Sequence, residues 1–212
     1  MRIRIPFRSF ALRRALALYI PATTLALILA SFPLHAQLLV RPVNIVYLSQ
    51  RAGVIVHGRV AEVVYESLPG YADIPTVKVI LDVETMLRGP EGDTYTFREI
   101  FLGLRAKTGK KGYKAGQELL LFLPIPSKYG LSSPIGNEQG RFHITRNRTG
   151  DPVVVNESGN IGLFQNVAEA AGIAGRSLTE SQLRATASER EPVKLDEFVS
   201  LVKNLMLAPR IR

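Results

Sequence analysis

Five consecutive large apolar residues, Leu119, Leu120, Leu121, Phe122 and Leu123, stand between Gly116 and Pro124. The run is too short for a typical helix and is bounded by backbone breakers, so it predicts a strand buried on both faces. Such a strand belongs at the centre of a fold, with other elements packed over it. The candidate strands before it alternate or half-alternate, and so read as half-buried.

Residues 54–66 form the first of these. Val54, Val56, Gly58 and Val60 share one face; Ile55, His57, Arg59 and Ala61 share the other. Beyond Val60 the apolar phase slips to Val63 and Tyr65. One extra residue near 58–62 accounts for the slip, as a bulge that bends the strand. Residues 67–75 hold Pro69, Gly70, Asp73 and Pro75 and read as a loop. Residues 76–87 alternate, with Val77, Val79, Leu81, Val83, Thr85 and Leu87 on one side and Thr76, Lys78, Asp82 and Glu84 on the other. Ile80 and Met86 break this pattern. A turn over 88–93 leads to a strand over 94–102. After the apolar run comes an irregular stretch, 125–139. A hairpin of 140–146 and 152–156 follows, with Phe142 and Ile144 facing in. Six strands without an intervening helix predict a mainly β fold, an antiparallel sheet or barrel over 54–157.

The flanks are helical. Residues 37–53 form a lead-in segment whose short helix places Val43, Val46 and Tyr47 at helical spacing. Residues 158–212 form a small α-helical C-terminal region packed on the barrel. It comprises a short helix over 163–171, a helix over 178–187 opened by a capping box from Ser177 to Glu180, and a last helix. The last helix has a stripe of Leu195, Phe198, Val199, Val202, Leu205 and Met206 that should dock on the barrel.

The chain of 212 residues is 46% hydrophobic and 21% charged, the composition of a protein with a real core. Its formal charge of +9 is misleading. Residues 1–36 carry Arg2, Arg4, Arg8, Arg13 and Arg14 and no acid. Without them 22 basic and 18 acidic residues remain, a net +4. The basic head, the apolar middle from 15 to 30 and the exit through Pro33 to Ala36 have the plan of a signal peptide, with cleavage expected after Ala36. The alternative is an uncleaved membrane anchor over 15–34. Either way the remainder is exported, to the periplasm or the medium. The absence of cysteine excludes disulfides, thiol nucleophiles and cysteine metal ligands together. For an exported chain it points to a bacterial setting.

Catalytic signatures are missing. Beyond the leader the chain has two histidines, His57 and His143, both on strands and both read as lying opposite the apolar residues. They are the candidates for metal or acid–base chemistry, but no HxH or HxxxH spacing supports a metal site. No GxSxG is present, and Ser158 before Gly159 reads as an ordinary turn. Asp82 and Glu84, two apart on one strand face, match a solvated face as well as a carboxylate pair. The glycine- and lysine-rich stretch 103–116, with Lys107, Lys110, Lys111 and Lys114, lacks the pattern of a nucleotide phosphate loop. Together with Lys128 and Tyr129 in the 125–139 stretch, these lysines form the expected contact surface for an anionic partner.

Residues 54–60 (VIVHGRV), 79–89 (VILDVETMLRG), 113–123 (YKAGQELLLFL) and 140–144 (GRFHI) together form a pattern of strands and glycines. It resembles exported bacterial proteins of unassigned function whose barrel is similar to the OB-like netrin/TIMP domain. The resemblance covers about residues 50–146. It implies the barrel and transfers no functional residue, because metalloproteinase inhibitors of that fold act through an N-terminal cysteine and this chain has none.

The expected function is a non-enzymatic exported binding module for an envelope or extracellular protein or an anionic glycan. No cofactor or metal is expected, and membrane contact only through an uncleaved leader. The alternatives are a protease inhibitor by analogy of fold, and an enzyme with an unfamiliar site. Nucleic acid is excluded as a partner by export and by poor interleaving of aromatic and basic residues.

Overall fold

Alternation, breakers and a central apolar run build one antiparallel sheet. The computed structural model describes residues 41–101, 112–187 and 191–206. The expected signal peptide or anchor therefore lies outside the described residues, as do Lys107, Lys110 and Lys111. The described elements are α1 (Ile45–Arg51), β1 (Val54–Leu68), β2 (Tyr71–Arg88), β3 (Thr94–Ile100), β4 (Glu118–Leu123), β5 (Arg141–Arg146), β6 (Pro152–Asn156), α2 (Val167–Ile173), α3 (Glu180–Ala187), β7 (Val193–Lys194) and α4 (Leu195–Met206). The sheet is open, in the order β3-β2-β1-β4-β5-β6-β7, with every neighbouring pair antiparallel. No described helix is long and apolar enough to cross a membrane.

β4 lies fourth of seven, and its five apolar residues are fully buried. Leu120 and Phe122 enter a core made with α1, α2, α3 and α4. Leu119, Leu121 and Leu123 enter a second core, enclosed by β1, β2, β3 and Tyr113. The period of two splits a uniform run between two interiors. In the first core the ring of Phe198 from α4 lies 5.0 Å from Phe142, 6.4 Å from Phe164 and 6.5 Å from Phe122. The last helix thus docks on the sheet as its stripe predicts.

Several expectations need correction. Residues 67–75 are not a loop: β1 turns into β2 through Pro69 and Gly70 alone, with Leu68 opposite Tyr71. Proline presets the first turn position and Gly70, at φ 82°, supplies the second. The length of β-branched sequence on either side overrides Pro75, which sits opposite Ser67 in the strand. α1 buries Ile45, Val46 and Leu48 and leaves Tyr47 half-exposed. Asn44 sets that rotation by capping the helix, its Oδ1 accepting from the Tyr47 amide at 2.9 Å. The short helix after Ser158 runs from Val167 to Ile173, not over 163–171. The capping box of α3 is Thr179 with Gln182. Thr179 Oγ1 accepts from the Gln182 amide at 3.3 Å, and Gln182 Oε1 from the Thr179 amide at 3.1 Å. A seventh strand, β7, pairs Val193 with Val154.

The expected bulge in β1 is present. Val60 pairs with Leu81 and Glu62 with Ile80, which leaves Ala61 as the extra residue. A second irregularity was not expected. His57 pairs with Thr85 and Gly58 with Val83, so Glu84 is the extra residue in β2. This bulge reverses the phase of β2, which is why Met86 joins Val83 against the second core.

Candidate functional site

β4 stops at Glu118, but β5 continues. Leu119 pairs with His143, Leu120 with Phe142 and Leu121 with Arg141, whereas Ile144, Thr145 and Arg146 of β5 pair with β6. On the other side the chain entering β4 is tied to β1: the Gly116 amide donates to the Val60 carbonyl and the Val60 amide to the Gln117 carbonyl, both at 2.8 Å. Where β4 begins, a groove of about 670 Å³ opens between β1 and β5, lined by Arg59, Gln117, Glu118, His143, Thr145, Arg146 and Glu157 among others.

The first polar cluster lies beside the groove and shares Arg59 and Glu118 with it. His57 is 7% exposed, and its Nε2 lies 3.1 Å from Glu118 Oε1 and 3.4 Å from Glu84 Oε2. Arg59 Nη2 faces the other oxygen of each carboxylate, at 3.2 Å from Glu118 Oε2 and 3.7 Å from Glu84 Oε1. The β2 bulge brings Glu84 to this side. It needs Gly58, because a Cβ there would lie 2.3 Å from the Asp82 carbonyl oxygen. Asp82 and Glu84 are therefore not an isolated pair on one regular face.

The β5 wall holds the second cluster. Arg141 is 1% exposed; its Nε lies 3.1 Å from Glu138 Oε2 and its Nη2 donates to Glu157 Oε1 at 2.8 Å. Its guanidinium stands 4.9 Å from the centre of the Tyr113 ring. His143 Nε2 lies 2.7 Å from the same Glu157 oxygen. Glu157 follows β6 in a turn fixed by two asparagines. Asn160 Oδ1 accepts from the Asn156 amide at 3.0 Å, and Asn156 Oδ1 accepts from the amides of Ser158 and Asn160. Ser158 thus belongs to an Asx turn. Partial burial works to raise the Glu157 carboxyl, but the His143 hydrogen bond and the Arg141 charge outweigh it and hold the carboxyl below its ordinary value. Its contribution to stability is present above the ordinary glutamate range and is lost as pH falls through the lowered value.

No family model, curated protein or solved structure matches the chain.

The two histidines lie on opposite faces of the sheet. His143 is opposite Leu119, turned away from Phe142 and Ile144 as expected. His57 is opposite Leu120 and shares its face with Ile55, both in the first core, so its face is not free of apolar residues. Glu118 connects them, since it bonds His57 and also lines the groove that holds His143. Lys114 precedes β4 near this groove, its amide donating to Gln117 Oε1 at 2.8 Å. Lys128 and Tyr129 follow the opposite end of β4. There Lys128 Nζ stands 4.9 Å over the Tyr129 ring, which meets Tyr71 edge-on at 5.8 Å. Of the expected surface, the described Lys114 thus lies at one end of β4, and Lys128 and Tyr129 at the other. Glu118 and Glu157 escape a search by local spacing, because their partners come from other strands; only the Glu138–Arg141 pair, three residues apart, is local. The usable signal is period two: Arg141 and His143 both alternate with the inward Phe142 and Ile144.

Proposed function

We propose that the protein is an exported, non-enzymatic binding module that takes an anionic glycan in the groove at the open end of β4. One observation carries this reading: the spare charge of the groove is positive. Glu118 faces His57 and Arg59, and Glu157 faces Arg141 and His143, so both groove carboxylates are already matched. Arg146 on the wall and Lys114 near the groove have no acidic partner among the described residues. An acidic sugar offers the carboxylate that a guanidinium binds in a fork, and hydroxyls for Thr145 and Gln117. Export rests on the leader plan of residues 1–36, with retention at the membrane through 15–34 if that segment stays attached.

The scaffold for this reading is an OB-like barrel of the netrin/TIMP kind over residues 54–157. Its support is the curl of the sheet. β3 comes round to the chain beyond β4, where Arg98 bridges Leu131 in parallel and the Ser132 amide donates to the Arg98 carbonyl at 2.7 Å. In OB-like barrels, loops beside the strands carry the ligand.

Titration of a polyuronate oligosaccharide at low salt should show binding to the wild type that weakens as salt rises. Arg146→Glu should bind at least about tenfold more weakly, a change of about 1.4 kcal/mol. No binding by the wild type, or equal binding by the variant, contradicts the proposal. Cleavage of the oligomer, lost in His143→Gln, would establish the enzyme reading instead. That reading has one specific support, the His143–Glu157 hydrogen bond at the groove, which has the reach of an acid–base pair.

A further inference from the structure

The geometry points to a divalent-metal site of the zinc class at His57, Glu84 and Glu118, where β1, β2 and β4 lie side by side. Three strands supply one ligand atom each, and the three atoms lie within 4.8 Å of one another. Around a tetrahedral zinc with bonds of about 2.0–2.2 Å, neighbouring ligand atoms stand about 3.4 Å apart. His57 Nε2 meets Glu84 Oε2 at 3.4 Å and Glu118 Oε1 at 3.1 Å, so one edge has that length and a second is 0.3 Å short of it. The third edge, between the two carboxylate oxygens, is no longer than 4.8 Å, and movement of the Glu84 side chain, 44% exposed, would bring it to that length.

The division of labour among the oxygens strengthens the assignment. Each carboxylate turns one oxygen to the imidazole and the other to Arg59. A single N–H at Nε2 cannot donate squarely to two oxygens, whereas one cation in its place satisfies the nitrogen and both oxygens together. Arg59 would then hold the outer oxygens and orient the ligands, as charged partners behind metal ligands do. One imidazole with two carboxylates selects zinc or a similar transition metal; calcium and magnesium prefer all-oxygen sets. The remaining coordination position faces solvent through the exposed Glu84 side and is left to water. The site stands independently of the glycan reading, because none of its ligands is Arg146 or Lys114.

Calorimetric titration of the untagged protein with Zn2+ tests it, with the melting temperature in and out of Zn2+ as a second readout. One Zn2+ per chain and a raised melting temperature are expected, with no response to Mg2+. Glu84→Gln, at an exposed position, should keep the metal-free melting temperature and bind Zn2+ at least about tenfold more weakly. His57→Gln should lose binding likewise, while His143→Gln keeps it. Absence of Zn2+ binding in the wild type overturns the assignment. So does wild-type affinity in Glu84→Gln, or a loss confined to His143→Gln.

Discussion

Phe122→Asp is expected to leave no folded protein. Phe122 is fully buried, opposite Ile55 on β1, and its ring meets Phe142 at 5.5 Å and Phe198 at 6.5 Å. Loss of the ring alone costs about 3–5 kcal/mol. A carboxylate in its place would lie among the apolar residues of the first core. Burying an unpaired carboxylate adds several kcal/mol even after its proton is taken up. A domain of this size has a stability of about 5–15 kcal/mol, so the two terms together are enough to unfold it. Insoluble or non-cooperatively melting protein is the expected readout. Phe122→Leu, which keeps the site apolar, should fold with a lowered midpoint. Soluble, cooperatively melting Phe122→Asp would mean that β4 is not central.

Arg141→Ala is expected to lower stability by about 3–5 kcal/mol, the cost of breaking a buried ion pair from one side. The guanidinium is the cation for Glu138, itself 5% exposed, and for Glu157, and it also covers Tyr113. Removing it takes away the cation that both carboxylates share. Arg141→Lys should fall between wild type and alanine, because it keeps the charge but loses the fork and the stacking. Urea midpoints measure the series. A loss below about 1 kcal/mol for Arg141→Ala would place the residue in the class of surface pairs.

These two residues show where the sequence is legible. The 119–123 run identifies β4 and its burial on both sides, since a uniform apolar strand has no other stable position. The hairpin of β5 and β6 and the stripe of α4 follow from period two and period 3.6. Pro75 misleads, because cross-strand pairing extends β2 past it to Tyr71. Glu84 misleads for a deeper reason. A bulge is a difference of register between two strands, and neither strand alone displays it. The site has the same property. Arg141 with Glu157, and His57 with Glu118 and Glu84, are brought together by sheet order and strand ends. Local spacing therefore finds two histidines and misses the acids that give them chemistry.

Native-state hydrogen exchange reads the stability of each strand separately. If β4 is the central strand and its start is the open end, amides of residues 119–123 exchange slowest, together with their partners 54–58 on β1 and 141–143 on β5, at the free energy of global unfolding. Thr145 and Arg146, beyond the reach of β4, exchange faster. Exchange across 119–123 as fast as at Thr145 and Arg146 would contradict the account.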